Sequence, residues 1–368
     1  MKFVKVERLR FVEYRRPDQT DLDEDTTAMR SREESRKNYY AFTSLAYSPQ
    51  TGELFCGMTN FGNDLLYVHD PASGEFESAN YAAIADPHEV KIHRGLWLGG
   101  DGCVYSATSS LSGLDELAEA PGGKLFRFDP GARRLEVLGI PAPHLYIQTV
   151  SLDWARRMMY GMAYPRFDFF AFSLERREVA YRCFVGSICH VGAVDDEGGY
   201  WGTWLGGGGR HDLFRYDPGE NRIRFFPHGF PTPCRSLMYR GAGPIDSMVN
   251  GGDGYLYVGH ETGELYRIEW RTGRVEYLCK PLPGRRMPGL AAAEDGLLLG
   301  VGGNDRAAMG FAYDRKTGNS EILGGIRDES ADADCFRTHD CCLVGNTLFV
   351  GETDNPRRSC YLWKCTLG

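Results

Sequence analysis

The chain has 368 residues, of which 42% are hydrophobic and 25% are charged, a composition typical of a folded water-soluble protein. Its net charge of −8 argues against a general nucleic-acid-binding surface or a surface for anionic membranes. No apolar stretch reaches the length of a transmembrane helix.

The N-terminal segment KFVKVERLRFVEY, residues 2–14, alternates apolar and charged residues and is predicted to form a strand. It lacks the continuous apolar core of a signal peptide, and the eleven cysteines show no disulfide-framework spacing. We therefore expect reduced thiols and a cytoplasmic location, although a secreted chain that has lost its leader would look the same. The polar segment from Pro17 to Lys37 is predicted to be a surface excursion.

A β-hairpin pattern then recurs along the chain. An apolar strand, an Asp or its substitute, a turn and a second strand begin at Leu65, Lys124, Asp168, Asp212, Glu264 and Gly310. Another strand precedes each hairpin, and strands of this kind begin at Leu54, Cys103, Met159, Tyr200, Leu256, Leu297 and Leu348. With a first strand and its turn before each of these, the unit is four antiparallel strands, repeated roughly every 45–50 residues as in propeller blades.

Seven second strands are present, but only six complete hairpins follow them, because the last blade ends with YLWKCTLG. The spare strand at residues 2–14 is predicted to supply the missing outer strand and close the ring. We therefore predict an all-β protein, a single seven-bladed β-propeller domain over residues 1–368. The segment from Leu111 to Gly123 is expected to add one or two helical turns within a loop.

In a four-stranded blade, the connection into the first strand and the connection from the second to the third strand open on one face. That face carries the mouth of the central channel, where functional loops are expected. Residues predicted to enter first strands there are His88, His144, Tyr146, His190, Asp246 and His339. Residues predicted to leave second strands there are Asn60, Ser109, Tyr164, Arg166, Arg210, His211, His260, Glu261, Arg306, Glu352, Asp354, Arg357 and Arg358.

Six of the nine histidines thus map to this mouth, and arginines accompany them in an acidic chain. This concentration favours an acidic ligand. The other three histidines, His69, His93 and His228, are interpreted as structural.

The blade pattern, the mouth histidines and the ending THDCCLVGNTLFVGETDNPRRSCYLWKC together resemble seven-bladed β-propeller polysaccharide lyases, such as ulvan lyases and rhamnose–glucuronate lyases. The resemblance implies cleavage of an acidic, uronate-containing oligo- or polysaccharide by β-elimination. It implies a His, a Tyr and an Arg around the uronate, which His88, Tyr146 or His144, and Arg166 would supply. The family's second His is replaced here by Ser109 or Ser110, so His144 or His190 would have to substitute.

β-Elimination requires these residue types. An arginine fork neutralises the carboxylate and stabilises the enolate-like intermediate, while a Tyr or His removes the α-proton and protonates the leaving oxygen. Arg166 is the predicted neutraliser, Tyr146 or His144 the base or acid, and His88 their partner, with His190 a further catalytic candidate. Predicted substrate-binding residues are Tyr164, Arg210, His211, His260, Arg306, His339 and Arg358.

Two alternatives stay open. One is a metal-dependent propeller enzyme of the streptogramin-lyase, oligogalacturonate-lyase or lactonase type. In it His260 with Glu261, or His339 with Glu352 and Asp354, would contribute to binding calcium, manganese or zinc. The other is a non-catalytic propeller that binds a glycan or a protein, since fold alone does not choose among these functions.

Overall fold

Seven four-stranded antiparallel sheets form the protein, and each is one blade of a β-propeller. The computed structural model describes residues 1–9, 11–17, 26–111, 116–232, 238, 241–303 and 307–368. The first strands of neighbouring blades contact one another, so they surround the central axis. The predicted all-β, seven-bladed architecture is confirmed.

The elements follow the predicted order. The chain begins with β1 (Phe3–Leu9), α1 (Thr27–Ser31) and α2 (Glu33–Asn38). Blade 1 contains β2 (Ala41–Ser48), β3 (Glu53–Thr59), β4 (Leu66–His69) and β5 (Phe76–Ser78); blade 2 contains β6 (Trp97–Leu98), β7 (Val104–Ala107), β8 (Leu125–Asp129) and β9 (Arg134–Gly139). Blade 3 contains β10 (Tyr146–Asp153), β11 (Met158–Tyr164), β12 (Asp168–Ser173) and β13 (Glu178–Phe184).

The remaining blades continue the pattern. Blade 4 contains β14 (Ala193–Val194), β15 (Tyr200–Leu205), β16 (His211–Asp217) and β17 (Arg222–Gly229); blade 5 contains β18 (Ile245–Asn250), β19 (Tyr255–His260), β20 (Leu265–Glu269) and β21 (Arg274–Cys279). Blade 6 contains β22 (Gly289–Ala292), β23 (Leu297–Gly302), β24 (Met309–Asp314) and β25 (Ser320–Gly325). A small hairpin of β26 (Arg327–Asp328) and β27 (Ala333–Asp334) precedes blade 7, which contains β28 (Thr338–Val344), β29 (Thr347–Glu352), β30 (Leu362–Leu367) and β1.

Burial explains why inner and outer strands differ in sequence. β12 (DFFAFS) is buried at every position, whereas the outer strand β13 (EVAYRCF) is partly exposed throughout. Glycine in the second strands allows close packing, since a Cβ at Gly57 would lie 2.6 Å from Ile92 Cγ2 and one at Gly161 would lie 2.8 Å from Thr149 O. These close approaches leave no room for a side chain at either position.

The N-terminal strand closes the ring as predicted. β1 pairs antiparallel with β30, from Phe3 opposite Leu367 to Leu9 opposite Leu362. The strand ends at Leu9, earlier than the predicted residue 14. The Phe3 ring also reaches blade 6, where a Cβ at Gly310 would lie 2.4 Å from Phe3 Cζ. One strand therefore completes blade 7 and packs against its neighbour.

The two predicted excursions contain more structure than loops. In the first, α1 and α2 form because Met29 is buried in a small cluster with Tyr14 and Tyr39. Residues 18–25 of that excursion lie outside the described residues. The second holds a 3-10 turn at Glu116–Ala118, in line with the predicted helical turn, and its residues 112–115 also lie outside the described residues.

The ten cysteines within the described ranges are free thiols, as expected from their spacing. None of the helices in this part of the chain is long and apolar enough to cross a membrane.

The closing contact of Phe3 predicts a measurable stability difference along one strand. We expect Phe3→Ala to lower the free energy of unfolding by about 1–3 kcal/mol, below the 3–5 kcal/mol of a fully buried Phe because Phe3 is half-buried. Val4→Ala is the matched control, because Val4 is 64% exposed, and it should change stability by less than about 0.5 kcal/mol. Urea unfolding of both variants checks this. Equal effects would show that Phe3 does not contribute to closure.

Candidate metal centre at the propeller axis

Three buried histidines from three blades meet at the axis. One ring nitrogen each from His93, His190 and His339 lies within 4.8 Å of the others. His93 lies in the segment that enters β6, His190 in the segment that enters β14, and His339 is the second residue of β28. Their exposed fractions are 7%, 4% and 5%. Convergence of three imidazoles at one point is the arrangement of a metal site.

Irregularities in the innermost strands aim side chains and carbonyls at this point. The strand register shifts at Thr43 in β2, at Gln148 in β10, at Asp246 in β18 and at His339 in β28. A bulge of this kind turns a residue out of the regular pleat and is common beside functional sites. All four of these residues belong to the histidine cluster, either as a member or as a hydrogen-bond partner.

Each histidine is held through its Nδ1 atom. Nδ1 of His93 donates to the carbonyl of Gln148 at 2.6 Å, and Nδ1 of His339 donates to the carbonyl of Thr43 at 2.9 Å. Nδ1 of His190 donates to Oδ1 of Asp246 at 2.9 Å. A carbonyl oxygen only accepts hydrogen bonds, so these partners assign the proton to Nδ1 and leave the lone pair on Nε2.

The imidazoles are also held neutral. Burial lowers the pKa of His190 to about 4, and it lowers the pKa of His93 and of His339 well below the ordinary histidine value. Nε2 of His93 and Nε2 of His190 are 2.9 Å apart. Two lone pairs facing each other at that distance repel, and a cation bound between them removes the repulsion. The tautomers and the charge state therefore fit a metal ion.

Asp246 anchors this arrangement through its contact with His190. Its carboxylate accepts Nε and Nη2 of Arg286 at 2.7 and 2.8 Å and the backbone N–H of Met287 at 2.9 Å. Burial alone would raise the pKa of Asp246, but the Arg286 guanidinium and the bond from His190 hold it well below its usual range. An ionised Asp246 fixes the His190 ring, as carboxylates commonly do for metal-binding histidines.

Arg94 closes the channel beside the histidines. This residue is 4% exposed, and its side chain from blade 2 reaches the carbonyl of Asp246 in blade 5 at 3.2 Å and Oδ1 of Asp340 in blade 7 at 3.4 Å. Its backbone has a φ of 50°, a left-handed conformation that a non-glycine residue keeps only when surrounding contacts impose it. Arg94 and Arg286 thus pair with Asp340 and Asp246 beside the three neutral histidines.

The donor set selects among metals. Neutral imidazole nitrogen suits zinc and other transition ions, whereas calcium takes oxygen ligands. Three protein ligands with further positions left open is the pattern of catalytic zinc sites. By donor type, the imidazoles of His93, His190 and His339 suit zinc better than calcium.

Two of the predicted catalytic residues lie together elsewhere. His88 and Tyr146 line one narrow crevice with Ser109 and Ser110. Tyr146, 3% exposed, opens β10 and pairs with Tyr164 at the end of β11. His144 is exposed instead, and its Nδ1 donates to the carbonyl of Ala120. Tyr146 is therefore the buried member of the predicted pair and His144 the exposed one.

The predicted arginines Arg166 and Arg210 are surface residues. The Arg166 side chain is 67% exposed and lies 3.8 Å from Asp168, and the Arg210 side chain is 59% exposed and binds Asp212. The ion pairs found among the described residues do not bring either one to the axial histidines. Arg166 is not among the residues that line the crevice of His88 and Tyr146, and its grouping with them stays a prediction. Arg306 lies outside the described residues.

The remaining predicted residues are engaged locally. His211 contacts the Ser187 hydroxyl at 2.6 Å, and His260 is buried between the Thr262 hydroxyl and the carbonyl of Pro231. Arg358 forms a two-pronged ion pair with Glu352.

These contacts also bear on the metal ligands expected from sequence. Glu352 is fully buried and accepts hydrogen bonds from Arg358, Asn355 and Trp363, while Asp354 pairs with Arg337. Among the described residues, the one cluster of potential ligands is the axial one. It includes His339 but neither of its expected carboxylate partners, and it does not include His260 or Glu261.

Sequence reasoning missed His93. The interpretation of His69 and His228 as structural residues agrees with their contacts, since His69 stacks on Phe76 and His228 contacts the carbonyl of Gly273. His93, which was interpreted in the same way, is instead a member of the axial cluster. Its strand β6 has two residues, so the alternation that would have placed it was too short to detect. A repeated His-x-Gly before the first strand, at His93 and again at His190, was the available signal.

The fold and this site can now be compared with known proteins. No family model and no curated protein matches the chain. Among solved structures, virginiamycin B lyase from Staphylococcus aureus is similar, with 14% identity, a TM-score of 0.64 and 99% of each chain covered.

Two further structures are similar. A catalytically inactive His-to-Ala variant of that lyase with quinupristin gives a TM-score of 0.66 at 14% identity, with 99% of each chain covered. The extracellular domain of the putative hybrid two-component system BT4673 from B. thetaiotaomicron gives a TM-score of 0.57 at 14% identity, covering 88% of this chain and 38% of that one. These likenesses define the class of protein, a seven-bladed β-propeller. They give no support to the resemblance to polysaccharide lyases beyond the fold.

The axial geometry predicts zinc binding that depends on the three histidines. Protein grown with zinc should hold about one equivalent by elemental analysis, and His190→Ala or His339→Ala should lose it, since each removes one of three ligands. His228→Ala is the control, because His228 lies in outer strand β17. Equal zinc content in His190→Ala and His228→Ala, with melting curves showing both folded, would contradict the site.

Asp246→Asn tests the anchoring carboxylate separately. The substitution removes the charged acceptor of His190 Nδ1, so we expect the zinc affinity to fall roughly 10–100-fold while the three ligands remain. Asp253→Asn is a matched control in the same blade, because Asp253 also pairs with an arginine, Arg315, at 3.1 Å. Competition with a chromogenic chelator measures both affinities. Identical affinities in the two variants would show that Asp246 does not orient His190.

Proposed function

We propose that this chain is a metal-dependent lyase that works at the axial site of its propeller and breaks a carbon–oxygen bond by β-elimination next to a carbonyl group. The observation that carries the proposal is the convergence of His93, His190 and His339 as neutral rings with their lone pairs facing inward. Support for the reaction class comes from the similar solved structures, two of which are named as lyases.

Elimination beside a carbonyl develops negative charge on the carbonyl oxygen as the α-proton leaves. A divalent ion held by the three histidines would act as a Lewis acid that stabilises this charge. The cradle supports such chemistry, since its neutral imidazole ligands would leave the positive charge of a divalent ion free to stabilise an anionic transition state.

The protein itself supplies positioning and exclusion of water. The three rings are kept from rotating because their Nδ1 atoms donate to the carbonyls of Thr43 and Gln148 and to the carboxylate of Asp246. Arg94 crosses the channel, so substrate enters from the mouth. Both features lower the reorganisation that the site undergoes during reaction.

Proton transfer requires a further group, and Tyr146 is our candidate. Tyr146 lies in β10, two residues before Gln148, whose carbonyl accepts the hydrogen bond from His93. At the usual rise per strand residue, the Cα atoms of Tyr146 and Gln148 are about 7 Å apart. His88 lines the same crevice as Tyr146 and would exchange the proton with the leaving oxygen.

The similar solved structures also support a choice of substrate class. The similar structures favour the streptogramin-lyase alternative over a uronate glycan, because one of them was obtained with quinupristin. Quinupristin is therefore the first substrate to test, and acidic oligosaccharides are the second.

Mass spectrometry of the products gives a decisive activity test. We expect the zinc-loaded protein to convert quinupristin into an isomer of unchanged mass, since elimination that opens a ring adds nothing, whereas hydrolysis adds one water. A chelator and His190→Ala should each reduce the rate at least 100-fold, while His228→Ala should leave it unchanged.

Three results would contradict the proposal. A hydrolysed product would indicate a lactonase, and activity that persists in His190→Ala would place the reaction elsewhere. If quinupristin is unchanged and uronate oligosaccharides yield an unsaturated product that absorbs ultraviolet light, the polysaccharide-lyase prediction would replace it.

A further inference from the structure

The cleft on blade 7 that contains Arg15 and Arg357 points to a second binding site, separate from the axial histidines, and we propose that it takes a small organic dianion carrying a phosphate or two carboxylates. The cleft has a volume of about 1000 Å³ and lies between the N-terminal segment, the β27 hairpin and the connection from β29 to β30. Small-molecule sites commonly have volumes of roughly 300–1,000 Å³.

The charge of this cleft is opposite to that of the protein. Five arginines and three acidic residues are among the described residues that line it, although the chain as a whole carries a net charge of −8. The arginines are Arg8, Arg15, Arg16, Arg357 and Arg358. A local excess of positive charge in an acidic protein attracts anions to that place.

The three acidic residues that line the cleft, Glu13, Asp332 and Asp334, are outnumbered by its five arginines. Asp332 and Asp334 both pair with Arg327, which lies outside the lining set, and Arg358 pairs with Glu352, which also lies outside it. The ion pairs recorded for the described residues include neither Arg15 nor Arg357, and both side chains are exposed. Two guanidinium groups are thus available for a ligand with two negative charges.

The backbone places like charges opposite each other. Arg15 forms an antiparallel bridge with Arg358, and the N–H of Arg16 donates to the carbonyl of Arg357 at 2.8 Å. Like charges directly opposite across a strand pair are destabilising. Glu352 already balances Arg358, so an anion between the two strands would balance the charge of Arg15, and the guanidinium fork is suited to binding phosphate or carboxylate with two hydrogen bonds.

One wall of the cleft is rigid. Glu352, fully buried, holds Arg358 through two bonds and also accepts the backbone N–H of Tyr361. The Arg358 guanidinium then lies 3.6 Å from the centre of the Tyr361 ring, and Arg8 donates to the Tyr361 hydroxyl at 3.2 Å. A cation held in this way needs little ordering when a ligand binds.

Calorimetry with inorganic phosphate and with succinate tests the proposal. At low ionic strength, where exposed charges are least screened, at least one of the two should bind, and the double variant Arg15→Ser/Arg357→Ser should weaken its dissociation constant at least tenfold. The matched control is Arg176→Ser/Arg222→Ser, which removes the same charge from side chains that are 61% and 71% exposed. This control should leave affinity unchanged, and the preferred probe identifies which anionic group the cleft takes.

A second arm separates this site from the axial one. Binding to His190→Ala protein should equal binding to the unaltered chain, because the cleft does not use the axial ligands. Binding that disappears in His190→Ala would place the anion at the axis and overturn the proposal. So would equal weakening in both double variants, which would indicate general charge attraction, or the absence of binding by both probes. None of these results depends on whether the protein is a lyase.

Discussion

A buried positive charge at the centre of the ring determines how the rest of this propeller is arranged. Arg94 brings a guanidinium into the channel, where an unpaired charge would cost several kcal/mol. Its partners come from across the ring, the Asp340 carboxylate from blade 7 and the Asp246 carbonyl from blade 5. The contact therefore needs a closed ring, and closure in turn depends on β1 completing blade 7. The pairing of Arg94 at the channel centre therefore depends on the N-terminal strand that closes the ring.

The histidine site depends on the same contacts. Asp246 presents its carbonyl to Arg94 and its carboxylate to Arg286 and His190, so one residue sets both the charge balance and the orientation of a ligand ring. Register shifts in four innermost strands expose the groups that hold the histidines. Local irregularity is tolerated there because the second and third strands pair in regular register in all seven blades. The regular middle of each blade thus supports an irregular inner strand.

The fold could be predicted well from the sequence because the blades were counted from a repeated pattern and did not have to be inferred from residue propensities. Seven second strands against six complete hairpins required closure by the N-terminal strand, and the pairing of Phe3 with Leu367 confirms it. The α1 and α2 helices were not predicted because they are short and polar, and they depend on burial of Met29 against Tyr14 and Tyr39, a tertiary contact that no local pattern shows. Prediction therefore failed where distant residues decide the structure.

The site was predicted only in part, for a geometric reason. Assigning loops to one face gives the height of a residue along the axis but not its distance from it. Residues that enter first strands, such as His190 and His339, lie nearest the axis, whereas residues that leave second strands, such as Arg166 and Arg210, lie farther out and pair with local aspartates. Weighting candidates by strand order within the blade would have favoured the entering histidines. The same rule places Arg357 and Arg358, after the second strand of blade 7, at the periphery of the mouth, where they line a cleft separate from the axial histidines.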